Sequence, residues 1–184
     1  MICGTQVRLR PVQKEDWPIF EAWGKERERL WGPYQRFQLD NLSLLQDAFQ
    51  SSDLLNRKGS MFLIETIKEQ TVVGFVRYSM LSIPDADHPY PEIGFGIPNL
   101  QARGQGYGRE AVELLVDYIF SGYPMERIAA FTDIENIPSQ RLLQKLGFMQ
   151  EGIIRKSYFR DSQWRDIAFF GILRDEFVNW EQRK

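Results

Sequence analysis

Three alternating glycines between a strand pattern and a helix pattern limit the fold of this sequence most. Gly104, Gly106 and Gly108 follow a strand-like segment, 92–97, and open an amphipathic segment that runs to about Phe120. Glycine permits backbone conformations that other residues avoid, and it lets a ligand approach closely. The first N–H groups of a helix lack internal partners and carry partial positive charge. Strand, turn and helix therefore predict an anion site suited to a pyrophosphate.

Two other phosphate-binding loops fit these glycines less well. The chain has no Gly-x-x-x-x-Gly-Lys-Ser/Thr, which excludes a P-loop. A dinucleotide fingerprint needs Gly-x-Gly-x-x-Gly directly after a strand and then further βαβ repeats. Here the third glycine comes one residue early, and the chain is predicted to close with a β-hairpin. The remaining alternative is a tight loop whose glycines serve shape alone.

Patterns along the rest of the chain predict an α/β (α+β) fold, a mixed and mostly antiparallel sheet of about seven strands with helices on both faces. The predicted order is β-α-α-β-β-β-α-β-α-β-β. Strands are predicted at 6–10, 61–64, 72–80, 92–97, 128–132, 148–158 and 163–173. Helices are predicted at 13–23, about 106–120 and about 136–146, with another around Leu42, Leu45 and Phe49 in the least readable stretch, 30–58.

Size, charge and the rarest residues exclude several classes of protein. The 184 residues fit a single domain, 1–184, and a net charge of −2 gives no overall attraction to nucleic acid or an anionic membrane. Cys3 and His88 are each the sole residue of their type, so we expect no disulfide and no metal site. Without a signal-like start or a membrane-length apolar run, we expect a cytoplasmic protein.

Two segments together resemble a known family. Arg103-Gly-Gln-Gly-Tyr-Gly108 resembles the Arg/Gln-x-x-Gly-x-Gly/Ala signature of the Gcn5-related N-acetyltransferases (GNAT). The segment from Asn136 to Phe148 resembles the Asn-x-x-Ser-x-x-Leu-x-x-x-x-Gly-Phe signature of the branch that includes the ribosomal-protein N-terminal acetyltransferases. The resemblance spans residues 5–180, tightly over 92–174 and loosely over 24–58.

The resemblance implies the GNAT fold and an enzyme that uses acetyl-CoA as co-substrate. The implied acceptor is a protein N-terminal α-amine, and the alternatives are a small amine, such as an aminoglycoside, polyamine or amino sugar, or a module that binds acyl-CoA without turnover. We expect direct attack by the amine, because Cys3 is terminal and no Ser–His pair suggests an acyl-enzyme. The oligomeric state is left open between monomer and homodimer.

The resemblance also implies which residues hold the coenzyme. The glycine turn, residues 103–108, would bind the pyrophosphate, strand 92–97 would lend backbone groups to the pantetheine, and Asn136 would contact the pantetheine arm or simply cap its helix. An N–H near Phe95 to Ile97 would polarise the acetyl carbonyl. The implied set is Phe95, Gly96, Ile97, Arg103, Gly104, Gln105, Gly106, Tyr107, Gly108, Arg109, Asn136 and Ser139.

Glu92 and Ser139 are the predicted catalytic residues. In a strand Glu92 shares a face with Gly94 and Gly96, and two strand glycines suggest a bulge or a ligand close to the backbone. A carboxylate there can accept the proton of the amine through water, or it is simply a surface residue at a strand end. By resemblance, Ser139 would serve the leaving thiolate; its alternative role is helix capping.

Other side chains are weaker candidates. Tyr158 and Tyr90 are alternative proton donors, and His88 is an alternative base. Trp17 and Trp23 are expected to pack on the sheet rather than line an acceptor pocket, a role also open to Trp31, Tyr34 and Phe37. We expect Arg8, Arg10, Arg27 and Arg29 to form a solvated face.

Overall fold

The computed structural model describes residues 1–25, 55–56, 59–82 and 89–182. Within them, one sheet has the strand order β1-β2-β4-β5-β6-β7-β9-β8, and β3 also pairs with β4. The strands are β1 Ile2–Cys3, β2 Val7–Pro11, β3 Leu55–Asn56, β4 Gly59–Thr66, β5 Val72–Leu81, β6 Tyr90–Gly96, β7 Arg127–Asp133, β8 Met149–Arg160 and β9 Gln163–Leu173. The α-helices are α1 Trp17–Lys25, α2 Tyr107–Gly122, α3 Ile137–Lys145 and α4 Arg174–Glu181.

This arrangement confirms the predicted fold class. All strand pairs are antiparallel except β6 with β7, which is parallel. The seven longer strands correspond to the seven predicted, while β1 and β3 add two residues each. The predicted helix around Leu42, Leu45 and Phe49 lies outside the described residues.

One face of the sheet carries the main hydrophobic core. Helix α2 covers it, and Ala111, Leu115 and Ile119 in the predicted apolar stripe of this helix are fully buried. Removing these side chains from water supplies most of the attraction between helix and sheet, at roughly 25 cal/mol per Å² of apolar surface. Val76 and Ile93 reach the same core from β5 and β6.

The predicted hairpin is present as β8 and β9, but it does not end the fold, because the helix α4 follows it and was not predicted. In α4, Phe177 is 3% exposed, and its ring lies 5.5 Å from the ring of Phe120 in α2. The Arg174 guanidinium donates hydrogen bonds to the carbonyls of Phe120, Tyr123 and Met125. These contacts join residues that are more than 48 positions apart in the chain. A local sequence pattern therefore could not predict how α4 packs.

The opposite face of the sheet, called the Glu92 face below, is covered in part by α1. The Trp23 ring lies 6.1 Å from the ring of Phe75 on β5, which confirms its expected packing on the sheet.

The expectation that Arg8 and Arg10 form a solvated face was wrong. Both arginines bond the Glu65 carboxylate, and Arg10 also donates to both oxygens of Asp16, at 2.7 and 2.8 Å. The Arg10 side chain is only 16% exposed. A strand that alternates arginine with apolar residues resembles an exposed edge, because the carboxylates that pair with the arginines lie elsewhere in the chain. Arg27 and Arg29 lie outside the described residues.

Candidate active site

A cleft opens where the parallel strands β6 and β7 separate. Their ladder contains two pairs, Glu92 with Ala129 and Ile93 with Ala130. Beyond these pairs, β6 continues along β5 to Gly96 and β7 continues along β9 to Asp133. The β6 backbone after Ile93 therefore faces this β6–β7 cleft without a ladder partner from β7, and its polar groups can bond an extended ligand.

The glycine turn joins β6 to the start of α2. Gly104 and Gly106 have φ values of +76° and +90°, a region that favours glycine, and Gly106 is the N-cap of α2. A Cβ on Gly104 would meet nothing within 4 Å, so this part of the turn is open. Arg103 Nε donates to the carbonyl of Ile97 at 2.8 Å, and burial lowers the pKa of this arginine. The open turn at a helix start fits a pyrophosphate.

Packing fixes the start of α2 against its neighbours. A Cβ on Gly108 would lie 3.5 Å from side-chain atoms of both Ile97 and Leu142, so α2, the end of β6 and α3 meet there. Glu110 in the first turn of α2 accepts hydrogen bonds from the backbone N–H of Thr5 and Gln6 and from the Thr5 hydroxyl. This contact could not be predicted from the sequence, because Glu110 lies about 105 residues along the chain from Thr5 and Gln6.

Glu92 lies beside two residues of β5 that sequence reasoning did not select. Glu92 Oε2 accepts hydrogen bonds from Arg77 Nη1 and from Ser79 Oγ, each at 3.2 Å. The β5–β6 register runs without a break, so the bulge suggested by Gly94 and Gly96 is absent from this strand pair. Gly94 instead leaves room for Arg77, since a Cβ there would stand 2.9 Å from Arg77 Nε.

The start of α3 brings Asn136 and Ser139 together. Asn136 Oδ1 accepts from the Ser139 N–H at 3.4 Å, which confirms Asn136 as the N-cap, and Pro138 occupies the first turn as expected. Gly147 ends this segment with a φ of +89°. Ser139 is half-buried on the first turn of α3, and its proposed chemistry stays a prediction.

A buried carboxylate supports the loop before α3. The Asp133 side chain is fully buried and accepts hydrogen bonds from the Tyr158 hydroxyl, the Arg165 guanidinium and the Glu135 N–H. Burial alone raises the pKa of Asp133, but the hydrogen bonds from Arg165, Tyr158 and Glu135 outweigh it and the net pKa is lowered.

This pairing bears on the alternative proton donor. Burial and the hydrogen bond to Asp133 raise the pKa of Tyr158 well above its ordinary value. A hydroxyl that already donates to a carboxylate, and that releases its proton less readily, is a poorer acid for a thiolate. Tyr158 therefore suits a supporting role.

Of the weaker candidates, Tyr90 lies among the described residues and His88 does not. The Tyr90 ring lies under the Arg127 guanidinium at 4.9 Å, and Arg127 also pairs with Glu151. Trp31, Tyr34 and Phe37 also lie outside the described residues.

No described helix is long and apolar enough to cross a membrane. The described residues contain no group of three or more His, Cys, Asp or Glu side chains placed to hold a metal ion.

The strand carboxylates of the Glu92 face share one property: each is paired with arginine. This holds for the described strands, where the alternation of side chains along each strand shows which carboxylates point to this face. The pairs are Glu65 with Arg8 and Arg10, Glu92 with Arg77, Asp133 with Arg165, and Glu151 with Arg127. Within the described strands, the carboxylates of this face are therefore largely neutralised by side chains of the same sheet.

Comparisons with known proteins agree with this geometry. The family model described as acetyltransferase (GNAT) domain matches residues 6–149. An uncharacterized N-acetyltransferase, p20, from Bacillus licheniformis is 30% identical over 94% of this chain and 96% of its own length.

Two solved structures share the fold. The ribosomal-protein-S5-alanine acetyltransferase from Vibrio fischeri is 20% identical with a TM-score of 0.78, covering 95% of this chain and 97% of its own. The spermidine N-acetyltransferase from Vibrio cholerae, in complex with CoA and spermine, is 18% identical with a TM-score of 0.80, covering 96% of this chain and 100% of its own.

Proposed function

Because this chain belongs to the GNAT family of N-acetyltransferases, we propose that it moves the acetyl group of acetyl-CoA directly to the α-amine of a protein N-terminus. The family match covers residues 6–149, which include the glycine turn and the β6–β7 cleft. The family supplies the acetyl transfer; the acceptor, the direct attack and the residue roles are our proposal.

The coenzyme fits along the β6–β7 cleft. The pyrophosphate is assigned to the glycine turn, where Gly104 and Gly106 have positive φ and α2 begins. We assign the pantetheine to the unpaired edge of β6, and its contacts from the other side to Asn136 and Ser139 at the start of α3. This course brings the thioester beside Phe95 to Ile97, where a backbone N–H polarises the acetyl carbonyl.

The reaction is a single acyl transfer. The nitrogen of the neutral amine attacks the carbonyl carbon, a C–N bond forms, and the C–S bond breaks as its electron pair moves to sulfur. The amine proton passes through water to Glu92, and Ser139 supplies a proton to the thiolate and regains one from solvent. The products are an amide and free coenzyme A.

One observation carries the choice of acceptor. Every strand carboxylate that alternation places on the Glu92 face, among the described strands, already has an arginine partner. A polyamine brings several positive charges, each of which gains most from an unpaired carboxylate. An N-terminal α-amine brings one charge, and it loses that charge readily because its pKa is about 8. The face therefore favours an α-amine.

A polyamine is the second candidate, because the spermidine N-acetyltransferase from Vibrio cholerae, in complex with CoA and spermine, has this fold. A small amine of another class, an aminoglycoside or amino sugar, is a further alternative. These acceptors differ in charge, which makes them separable in one assay.

The test is release of free thiol from acetyl-CoA with a panel of amines. The panel contains a peptide with a free N-terminus, the same peptide with a blocked N-terminus and one lysine, spermidine, and an aminoglycoside. We expect thiol release with the free N-terminus and little with the blocked peptide. Fast release with spermidine and none with either peptide would refute the proposed acceptor while leaving acetyl transfer intact.

A further inference from the structure

Arg77 lies beside Glu92, and the reaction described above does not use it. Arg77 Nη1 donates to Glu92 Oε2 at 3.2 Å and to Ser79 Oγ at 3.3 Å. The Arg77 side chain is 41% exposed, whereas that of Glu92 is 15% exposed. Arg77 Nε and Nη2 form no hydrogen bond to another described residue, so two donor positions are available.

The strand register places this guanidinium beside Gly94, between Glu92 and the end of β6. Arg77 pairs with Gly94, and a Cβ on Gly94 would stand 2.9 Å from Arg77 Nε and 3.2 Å from Nη2. Gly94 lies two residues beyond Glu92, about 7 Å along the strand, in the direction of Phe95 to Ile97. An amine that reaches both Glu92 and the thioester must therefore pass close to Arg77.

We propose that Arg77 is a specificity-determining residue that selects acceptors with a carboxylate close to the reacting amine. A peptide with Asp or Glu as its second residue has this chemistry. This inference rests on the proposed function, because it takes the acceptor to approach along the Glu92 face.

Two physical effects act in the same direction. The planar guanidinium can hold an acceptor carboxylate through its free donors, because Arg presents several N–H groups in a rigid fork. The same positive charge repels a second cation on the acceptor, such as a lysine at position two or the further amines of a polyamine. Partial exposure of Arg77 screens both effects, so each is moderate.

The test is a competition between two peptides that differ only at position two, Ser-Asp and Ser-Lys. Both are mixed with acetyl-CoA and the intact protein, and the ratio of acetylated products gives the ratio of kcat/KM. We expect wild type to favour Ser-Asp by about tenfold, the scale of a partly screened charge contact. Arg77→Gln should bring the ratio near one, while Arg77→Lys should retain part of it because the charge remains.

The matched control is Arg127→Gln. Arg127 is also paired with a carboxylate, Glu151, on the same face, but its guanidinium lies over the Tyr90 ring, and the atoms nearest to Gly94 belong to Arg77. This variant should keep the wild-type ratio. A wild-type ratio near one, or an unchanged ratio in Arg77→Gln, would overturn the proposal.

Spermidine as a third acceptor separates this inference from the proposed function. Arg77→Gln should raise kcat/KM for spermidine by about threefold to tenfold, because one repulsive charge is removed. If spermidine alone is acetylated, the α-amine acceptor is wrong, and a rise in Arg77→Gln still supports the role of Arg77. A fall for spermidine in this variant would overturn the inference in either case.

Discussion

One side of the β6–β7 cleft is formed mainly by backbone groups, and the other is formed mainly by charged side chains. On the side that we assign to the coenzyme, the proposed site is made of backbone: a turn with Gly104 and Gly106 at positive φ, a helix start, and the unpaired edge of β6. On the acceptor side, side-chain charges make the site, with Glu92 and its arginine partner from the next strand.

The difference determines how each side responds to mutation. A backbone site tolerates changes of side-chain type but not a Cβ where φ is positive. A charge site tolerates small changes of shape but not removal of one member of a pair. Substitutions on the two sides should therefore alter different kinetic constants.

The largest expected effect is from Glu92→Gln. If Glu92 collects the amine proton, this change should lower kcat roughly 10²- to 10⁴-fold near neutral pH, the usual scale of general-base assistance. The loss should shrink as pH rises past the α-amine pKa of about 8, because the amine then loses its proton unaided. Steady-state kinetics between about pH 6 and 9.5 measure this dependence.

The matched control is Glu151→Gln, another arginine-paired carboxylate on the Glu92 face. It should leave kcat near the wild-type value. A Glu92→Gln enzyme with unchanged kcat and a raised KM for the acceptor would mean that Glu92 only holds the acceptor.

The second effect is on the coenzyme side. Gly106→Val should weaken acetyl-CoA binding about 100-fold, because a β-branched residue at φ +90° strains the turn by about 1–3 kcal/mol and crowds the phosphate. Calorimetric titration with coenzyme A measures the affinity. In wild type, acetyl-CoA should also raise Tm by mass action.

Gly122→Val serves as the control, because a Cβ at Gly122 meets nothing within 4 Å and its φ is not positive. That variant should bind coenzyme A normally. Normal binding by Gly106→Val would instead remove the glycine turn from the phosphate site.

The third effect concerns stability and pH. The pKa of Asp133 is lowered in the folded protein, so its ionised form stabilises the fold above the unfolded pKa of about 3.9, and this contribution is lost as pH falls through the folded pKa. Asp133→Asn should lower the free energy of unfolding by about 2 kcal/mol at pH 7. In urea titrations the wild-type and variant curves should begin to approach each other as pH falls below about 4, and they should meet only below the lowered folded pKa of Asp133.

The exposed Asp117 provides the comparison, and Asp117→Asn should follow the wild-type curve at every pH. A constant difference between wild type and Asp133→Asn down to low pH would mean that the buried pairs contribute through shape rather than charge.

The smallest effect is from Ser139→Ala. We expect kcat to fall about tenfold with little change in KM for acetyl-CoA, since a thiolate partner matters mostly in the transition state and water replaces it in part. Tyr158→Phe should do the reverse, with a lower Tm and nearly normal kcat, because its hydroxyl bonds Asp133. Unchanged kcat in Ser139→Ala would remove the Ser139 hydroxyl from catalysis; the cap bond from the Ser139 N–H to Asn136 is backbone and remains in the variant.

The turn and the helix cap on the side assigned to the coenzyme were predictable, because their sequence signals are local. The glycine turn lies within six residues, and the cap at Asn136 and the glycine at 147 lie at the two ends of one short helix. Gly104 and Gly106 have positive φ, a conformation that glycine adopts much more readily than other residues.

The acceptor side was less predictable because its contacts depend on strand register. Glu92 meets Arg77 from 15 residues away, and Asp133 meets Arg165 from 32 residues away. The wrong prediction for Arg10 has the same cause, since its partner Glu65 lies 55 residues along the chain. Alternation along one strand shows which residues share a face but not which charges the neighbouring strands bring to it.

The most direct test of the central claim is a single competition. A peptide with a free N-terminus and spermidine are mixed at equal concentration with acetyl-CoA and the wild-type protein, and mass spectrometry counts the two products. Because the carboxylates of the described strands on this face are paired with arginine, we predict an excess of peptide acetylated at its α-amine, which fragmentation of the product locates. An excess of acetylspermidine would contradict the account, because carboxylates that are already paired with arginine should attract a polycation only weakly.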